Sequence, residues 1–297
     1  MIRRTSKWRT GGSIIGILAM VGTVSIGMIG MSGSVAGART VKVKIPNYVN
    51  KLSSNTNGWC TPSQGCNGQG GNEADYGTID IVKPSYDNYG GYGAHTPSPA
   101  GQKNFARITG AGLDQDTING CPTPGYDASL NTPYCEGPYV CYGGSCSEAA
   151  FPTNGFTSSI MVYVDPTWAA ANPGQEVDWD VGLNNTSGSY LNDNGFTMCT
   201  TAAGGGGFYV NLNQFSSCNS SAEELTAAGW YTLKQDFQSV AGQVVVTYSV
   251  TPPTGPVWSS VVNTGEATTA TGGPSYGWFA DEDVLGLPIA QISLKNN

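Results

Sequence analysis

Three acidic residues alternate with apolar ones in residues 176–180 (EVDWD). If this segment is a β-strand, Glu176, Asp178 and Asp180 share one face, with successive Cα atoms on that face about 6.8 Å apart. Glycoside hydrolases use paired carboxylates, about 5–5.5 Å apart in retaining enzymes. Only neighbouring members of the three, or converging side chains, reach that separation. Three acids on an exposed strand face more often form a solvated surface than a catalytic site. If the strand is regular, Trp179 points away from the acids and into the core.

Aromatic and amide side chains supply a second chemistry, the binding of sugars. Tryptophan and tyrosine rings stack on the apolar C–H faces of sugars, while amides and carboxylates bind the hydroxyls. The polar segment 184–193 is predicted to be a loop suited to the rim of such a site, and Trp230 lies opposite Tyr231 and Leu233 on its strand. An ordinary solvated loop explains the same polar residues. The predicted ligand-binding residues are Asn185, Tyr190, Asn192, Asp193 and Trp230.

Metal chemistry and nucleophilic catalysis have little support in the sequence. The run Asp281-Glu282-Asp283 has the oxygen ligands that Ca²⁺ prefers, although ordinary surface charge explains it better. His95 is the only histidine, so neither a histidine-based catalytic triad nor a zinc site is expected. We predict no metal site and no cofactor beyond this weak case for Ca²⁺.

The eight cysteines are predicted to form disulfides, because an even number of cysteines in an exported chain indicates a disulfide framework. Eight cysteines allow 105 pairings. Closure between neighbours in the sequence suggests the pairs Cys60–Cys66, Cys121–Cys135, Cys141–Cys146 and Cys199–Cys218.

Residues 1–38 are predicted to be a signal peptide. Four basic residues precede the uncharged apolar stretch Ile14–Met31, and Ala36-Gly37-Ala38 has the pattern of a cleavage site. An uncleaved segment of this length would instead anchor the chain in a membrane, and it is the sole membrane contact that we expect. The protein is therefore predicted to be secreted or held at the cell surface.

Composition and charge exclude several classes of function. Only 11% of the 297 residues are charged and 42 are glycine, which disfavours a solvated helical bundle. Without the four bases of the leader, nine of the 13 basic residues remain against 21 acidic ones, a net charge of −12. Nucleic acid is excluded as a partner, since phosphate binding needs clustered cations. We expect a monomer.

Short strands are the elements that must position these residues. Alternation is clearest in Phe156–Val164, Gly229–Val240 and Gln243–Val250, and Ala241-Gly242 is predicted to be a hairpin turn between the last two. At most one short helix is expected, near residues 221–228. Further strands are predicted at residues 78–83, 104–109, 176–183, 208–212, 257–262, 276–279 and 289–294.

This pattern predicts an all-β fold, a two-sheet antiparallel β-sandwich. We expect the sandwich domain to span residues 58–297, after a lead-in at residues 39–57. Four cysteines and little periodicity predict a disulfide-stapled loop insertion at about residues 111–150.

The segments Gly58-Trp59, Gly229–Leu233 and Tyr276–Phe279 resemble the concanavalin A-like lectin and glucanase jelly-roll family of secreted bacterial proteins. The resemblance covers roughly residues 58–294 and implies a jelly-roll sandwich. Glucanases of this kind carry a Glu-x-Asp-x-Glu strand. The resemblance therefore implies Glu176 as nucleophile, Asp178 as the group that tunes protonation and Asp180 as general acid. The chain departs from that motif at its last position, where the acid is one methylene shorter.

The sequence favours a lectin-like protein that binds an extracellular glycan. The alternative is a glycoside hydrolase that acts on an extracellular polysaccharide through the carboxylates of residues 176–180. A second alternative is a structural envelope protein without a ligand. A groove with converging acids would favour the enzyme, a shallow aromatic patch the lectin, and a flat polar surface the structural role.

Overall fold

The computed structural model describes most of the second half of the chain and several segments of the first. The described residues are 45, 47–59, 78–83, 101, 103–109, 125–127, 132–134, 136–142, 150–202, 205–212, 218, 221–280 and 287–297. The predicted signal peptide, His95 and the acidic run at 281–283 lie outside them. No helix among the described residues has the length and apolar character needed to cross a membrane.

The described residues form sixteen strands and one short helix, α1 (Pro166–Ala171). The strands are β1 (Tyr48–Asn50), β2 (Thr78–Val82), β3 (Phe105–Thr109), β4 (Gly125–Asp127), β5 (Thr132–Tyr134), β6 (Glu136–Cys141), β7 (Phe156–Val164), β8 (Glu176–Asn185), β9 (Tyr190–Ala202), β10 (Gly205–Leu212), β11 (Glu223–Glu224), β12 (Gly229–Val240), β13 (Gln243–Thr251), β14 (Trp258–Ala267), β15 (Thr271–Ala280) and β16 (Pro288–Asn296).

Two antiparallel sheets contain all of these strands except the β4–β5 hairpin, which confirms the predicted all-β sandwich. The eight-stranded large sheet has the order β14-β13-β12-β7-β16-β3-β2, with β1 also paired to β16. The six-stranded small sheet has the order β11-β10-β9-β8-β15-β6. The last strand of the chain therefore lies inside the large sheet, between β7 and β3.

The core contains side chains from both sheets. The rings of Phe196 on β9 and Tyr248 on β13 meet edge to face, with 5.2 Å between their centroids. Gln235 on β12 is fully buried, and its amide donates a hydrogen bond of 2.6 Å to the carbonyl oxygen of Asn194 on β9. This bond satisfies a buried polar group and fixes the two sheets relative to each other.

The strands with the clearest alternation have the predicted bounds. Phe156–Val164 and Gly229–Val240 match the prediction at both ends, and every second residue of β7 is buried. Ala241 (φ +51°) and Gly242 (φ +81°) join β12 to β13, so both central turn residues have positive φ, as type I′ hairpins require.

The predicted position of the helix is wrong. Residues 221–228 contain the two-residue strand β11, and the helix lies at Pro166–Ala171. Asp165 begins this helix, because its Oδ1 accepts hydrogen bonds from the backbone N–H groups of Thr167 (3.0 Å) and Trp168 (3.1 Å). An aspartate cap followed by proline is a helix-start signal in the sequence.

Three segments that were predicted to lie outside the sheets belong to them. β1 lies in the predicted lead-in and pairs with β16. β6 lies in the predicted loop insertion and pairs with β15. β9 begins at Tyr190, so Asn192 and Asp193 lie on a strand rather than on a loop. In each case pairing makes the segment extended rather than local alternation: β1 and β6 pair with distant strands, and β9 pairs with its neighbours β8 and β10.

The predicted disulfide Cys199–Cys218 is present, with 5.9 Å between the two Cα atoms. Cys141 is also disulfide-bonded. Each of the other three predicted pairs includes a cysteine outside the described residues. The cysteines that lie there are Cys60, Cys66, Cys121, Cys135 and Cys146.

Buried tyrosines predict a loss of stability in alkali. Burial raises the pKa of Tyr248 well above its usual 10, and the nearby carboxylate of Asp180 raises it further. An unfolded chain releases this proton near pH 10 and the folded chain does not, so the stabilisation is complete below pH 10 and falls above it. We expect Tyr248→Phe to reduce the fall in unfolding free energy above pH 10 by about 1.4 kcal/mol per pH unit, measured by urea denaturation. Equal slopes for the two proteins would contradict this.

Candidate functional site

Strand β8 occupies the middle of the small sheet, between β9 and β15. The strand register places Asp180 opposite Gly195 of β9 and opposite Trp278 of β15. The same register places Gly182 opposite Asp193. Directly opposed residues in an antiparallel pair point to the same side of the sheet, so these five residues share the outer face of the small sheet.

Two glycines alternate with two aspartates across β8 and β9, and each carboxylate lies over a glycine. A β-carbon added at Gly195 would overlap the Asp180 carboxylate and would lie 2.7 Å from the carbonyl oxygen of Trp179. A β-carbon at Gly182 would lie 3.0 Å from Oδ1 of Asp193. The missing side chains therefore let both carboxylates lie against the sheet.

Two aromatic rings border the aspartates. Tyr276 and Trp278 are two residues apart on β15, and their rings meet edge to face with 6.3 Å between the centroids. A β-carbon at Gly182 would lie 2.9 Å from Cζ of Tyr276, so the tyrosine ring and the Asp193 carboxylate converge over this glycine. We name the surface formed by Asp178, Asp180, Asp193, Tyr276 and Trp278 the acidic–aromatic face. Asp193 and both rings are half-buried, and each keeps some surface open to solvent.

The three predicted catalytic acids share the outer face of β8, but two of them have no contact with solvent. Asp178 and Asp180 are 0% exposed, whereas Glu176 is half-buried. The expectation of a solvated acidic strand is therefore wrong for these two. A polysaccharide cannot reach Asp180, the predicted general acid, in this structure. Trp179 points to the core and is 0% exposed, as the alternation predicts.

Of the residues predicted to form a binding rim, Asp193 belongs to the acidic–aromatic face. The Asn185 side chain instead holds a turn, because its Oδ1 accepts hydrogen bonds from the backbone N–H groups of Ser187 (2.9 Å) and Ser189 (3.1 Å). Asn192 lies opposite Leu183 and so points to the other side of β9. Tyr190 begins β9, and its side chain is outside the described part of the structure.

Trp230 lies on the large sheet and is covered. Its ring packs edge to face against Phe105 (5.7 Å between centroids) and Tyr163 (5.5 Å), in a small apolar cluster outside the main core. Trp230 is 4% exposed. The expectation that this ring offers an open surface for stacking on a sugar is therefore wrong, because the neighbouring rings already cover it.

Sequence reasoning missed Tyr276 and the two glycines as parts of a site. Tyr276 and Trp278 carry a signal in their spacing of two, which places both rings on one side of a strand. Gly182 and Gly195 carry none, because only the register of β8 against β9 brings each one under a carboxylate. Within the described part of the chain, no three His, Cys, Asp or Glu side chains are grouped closely enough to hold a metal ion.

Comparison with known proteins finds similarity only at the level of solved structures. No family model matches the chain, and no curated protein matches it. Winged bean acidic lectin complexed with methyl-α-D-galactose is 11% identical, with a TM-score of 0.40, and the match covers 84% of this chain and 98% of the lectin. The alginate lyase of Klebsiella pneumoniae is 11% identical, with a TM-score of 0.29, over 63% of this chain and 77% of the lyase.

The endo-1,3-β-glucanase of Streptomyces sioyaensis is 14% identical, with a TM-score of 0.27, and the match covers 58% of this chain and 73% of the glucanase. Lectins and glucanases are the classes that the sequence resemblance names, and the two antiparallel sheets of this chain agree with the sandwich that the resemblance implies. With identities of 14% or less and TM-scores of 0.40 or less, these likenesses carry no conclusion about the function of this chain. These matches therefore identify neither a ligand nor an activity for this chain.

Proposed function

We propose that this protein binds a neutral extracellular carbohydrate on the acidic–aromatic face. The observation that carries the proposal is the convergence of the Asp193 carboxylate and the Tyr276 ring over Gly182, with Trp278 beside them. A carboxylate accepts hydrogen bonds from sugar hydroxyls, and an aromatic ring packs against the C–H groups of the same sugar. The absence of a side chain at Gly182 lets the Tyr276 ring and the Asp193 carboxylate lie close together against the backbone.

The charge of the acidic–aromatic face favours a neutral ligand. Its described residues include three aspartates and neither lysine nor arginine. An anionic sugar placed there would meet carboxylates without a compensating cation, which disfavours binding. The predicted export of the chain and its acidic net charge are consistent with a neutral glycan as the partner.

Burial argues against hydrolysis as the main function. A hydrolase needs its general acid within hydrogen-bond distance of the glycosidic oxygen, and Asp180 is 0% exposed. Binding does not require the two buried aspartates, because Asp193, Tyr276 and Trp278 are the residues of this face that keep open surface. We therefore place the ligand on these three residues, beside the covered Asp178 and Asp180.

The direct test is a glycan array with the purified protein, followed by titration of the best neutral glycan. We expect Asp193→Asn to weaken binding about tenfold or more, because a hydrogen bond to a charged acceptor is replaced by one to a neutral amide. The matched control is Glu224→Gln, which removes the same charge from the exposed edge strand β11 of the same sheet. We expect this control to bind normally.

Two results would contradict the proposal. Failure to bind any neutral plant, fungal or bacterial glycan would remove the function. Equal binding by Asp193→Asn and the parent protein would remove the site, provided that circular dichroism shows both proteins to be folded. Tyr276→Ala supplies an independent variant for the aromatic half of the face, and we expect it also to lose affinity.

A further inference from the structure

A cavity of about 400 Å³ lies beside the first strand of the large sheet, in the segment that the sequence indicated to be only a lead-in. Its volume falls within the range of about 300–1,000 Å³ that is usual for small-molecule sites. The described residues that line it are Tyr48, Val49, Asn50, Lys51, Ser53, Ser54, Asn55 and Asn57. We name it the asparagine cavity.

The wall of the asparagine cavity is held in one conformation by its own hydrogen bonds. The Asn50 side chain accepts from the N–H of Leu52 (2.8 Å) and donates to Oδ1 of Asn55 (3.3 Å) and to the carbonyl of Asn57 (3.2 Å). The hydroxyl of Tyr48 donates to the same carbonyl at 2.6 Å. Burial raises the pKa of Tyr48 to about 12, so this donor keeps its proton at neutral pH.

Packing fixes the same segment to the rest of the protein. Leu52 is 0% exposed and has φ of +52°, a conformation that costs free energy in a residue with a side chain. Gly58 has φ of +90° and lies under the ring of Tyr48. The Asn104 amide donates a hydrogen bond of 2.9 Å to the carbonyl of Ser53. A backbone held this firmly loses little conformational entropy when a ligand binds.

Several polar groups of the cavity remain available. Within the described part of the chain, no hydrogen bond or ion pair involves the ammonium of Lys51, the hydroxyl of Ser53 or the side-chain amide of Asn57. These groups combine one positive charge with neutral donors and acceptors. The described lining contains no carboxylate, in contrast to the acidic–aromatic face.

We infer that the asparagine cavity binds a hydroxylated ligand of one or two sugar rings that carries a carboxylate, as a uronic acid does. The carboxylate pairs with Lys51, while Ser53 and Asn57 bind hydroxyls. In a protein of net negative charge, a cavity whose described lining has a lysine and no acidic side chain offers an anionic sugar a cation without an opposing described carboxylate. The inference does not depend on the acidic–aromatic face, which uses different residues on the other sheet.

The test compares D-glucuronate with D-glucose, which differ in the carboxylate at C6, by NMR titration of the full-length protein. We expect glucuronate to shift the backbone amide signals of residues 50–57, and glucose to bind several-fold more weakly. Lys51→Met should weaken glucuronate binding about fivefold, which is what an exposed ion pair contributes at most. Lys295→Met removes an equally exposed lysine from the end of β16, and we expect it to bind glucuronate normally.

The outcomes separate this inference from the proposed function. Glucuronate shifts that are absent, or that lie outside residues 50–57, would overturn the site. Equal affinity for glucose and glucuronate, or no effect of Lys51→Met, would overturn the role of the carboxylate. Asp193→Asn should leave glucuronate binding unchanged even if it abolishes binding of a neutral glycan, so each site can fail alone.

Discussion

Trp179→Ala should lower the free energy of unfolding by about 3–5 kcal/mol, the range measured for removal of a large buried aromatic side chain. Trp179 is 0% exposed, and its ring lies 4.8 Å from Phe279 and 6.3 Å from Trp59, centroid to centroid. It also packs over Gly277, where an added β-carbon would lie 2.9 Å from Cζ2 of the indole. Three strands of the small sheet meet around this ring, so its loss leaves a cavity that they cannot close.

Urea denaturation of Trp179→Ala, followed by circular dichroism, measures this loss. The matched control is Trp258→Ala, the same substitution at a half-buried position on the edge strand β14. We expect the control to cost less than half as much, because less apolar area leaves water there in the folded state. A loss of similar size at both positions would show that Trp179 does not hold the core together.

Gly195→Ala is expected to have the second largest effect. The new methyl group would overlap the Asp180 carboxylate and press on the carbonyl oxygen of Trp179, 2.7 Å away. Overpacking of this kind costs about 1–3 kcal/mol and sometimes more. Because the displaced carboxylate lies beside Trp278 on the acidic–aromatic face, we expect binding of a neutral glycan to weaken as well.

Thermal unfolding and glycan titration of the same sample separate these two effects. The control is Gly206→Ala, also in the small sheet, where an added β-carbon would meet no described atom closer than 3.4 Å. Adding Asp180→Ala to Gly195→Ala should recover part of the lost stability, because one of the two overlaps is then removed. No recovery would place the whole cost at the backbone contact with Trp179.

Local alternation was enough to predict the strands that have one buried and one open face. Strands β7 and β12 were predicted with both bounds correct because their burial alternates along most of their length. Strand β9 was missed because both of its faces are covered, so that Gly195, Thr197 and Met198 are all buried and no period appears in the sequence. Strand β6 was not predicted, because its proline and its cysteine favoured the prediction of a disulfide-stapled loop.

Only part of the candidate site was predicted from the sequence, because the rest depends on which strands pair. The spacing of Asp178 and Asp180 placed them on one face of a strand, which the register of β8 agrees with. Their burial could not be predicted, because it depends on the neighbouring strands β9 and β15. The partners of Asp193 are Gly182, one strand away, and Tyr276, more than eighty residues later, and no pattern near Asp193 indicates either of them.

The position of β16 has a consequence for how the molecule is made. This strand is synthesised after the others described, yet it separates β7 from β3, and its Asn296 side chain accepts a hydrogen bond from the N–H of Ile45 (2.9 Å), 251 residues earlier. Both of its pairings join distant parts of the chain, because the partners on β7 lie more than 120 residues earlier and those on β3 about 180 residues earlier, so the large sheet stays divided until these segments meet. Closing loops of this length is slow, so we expect the large sheet to form later than local hairpins such as β12–β13.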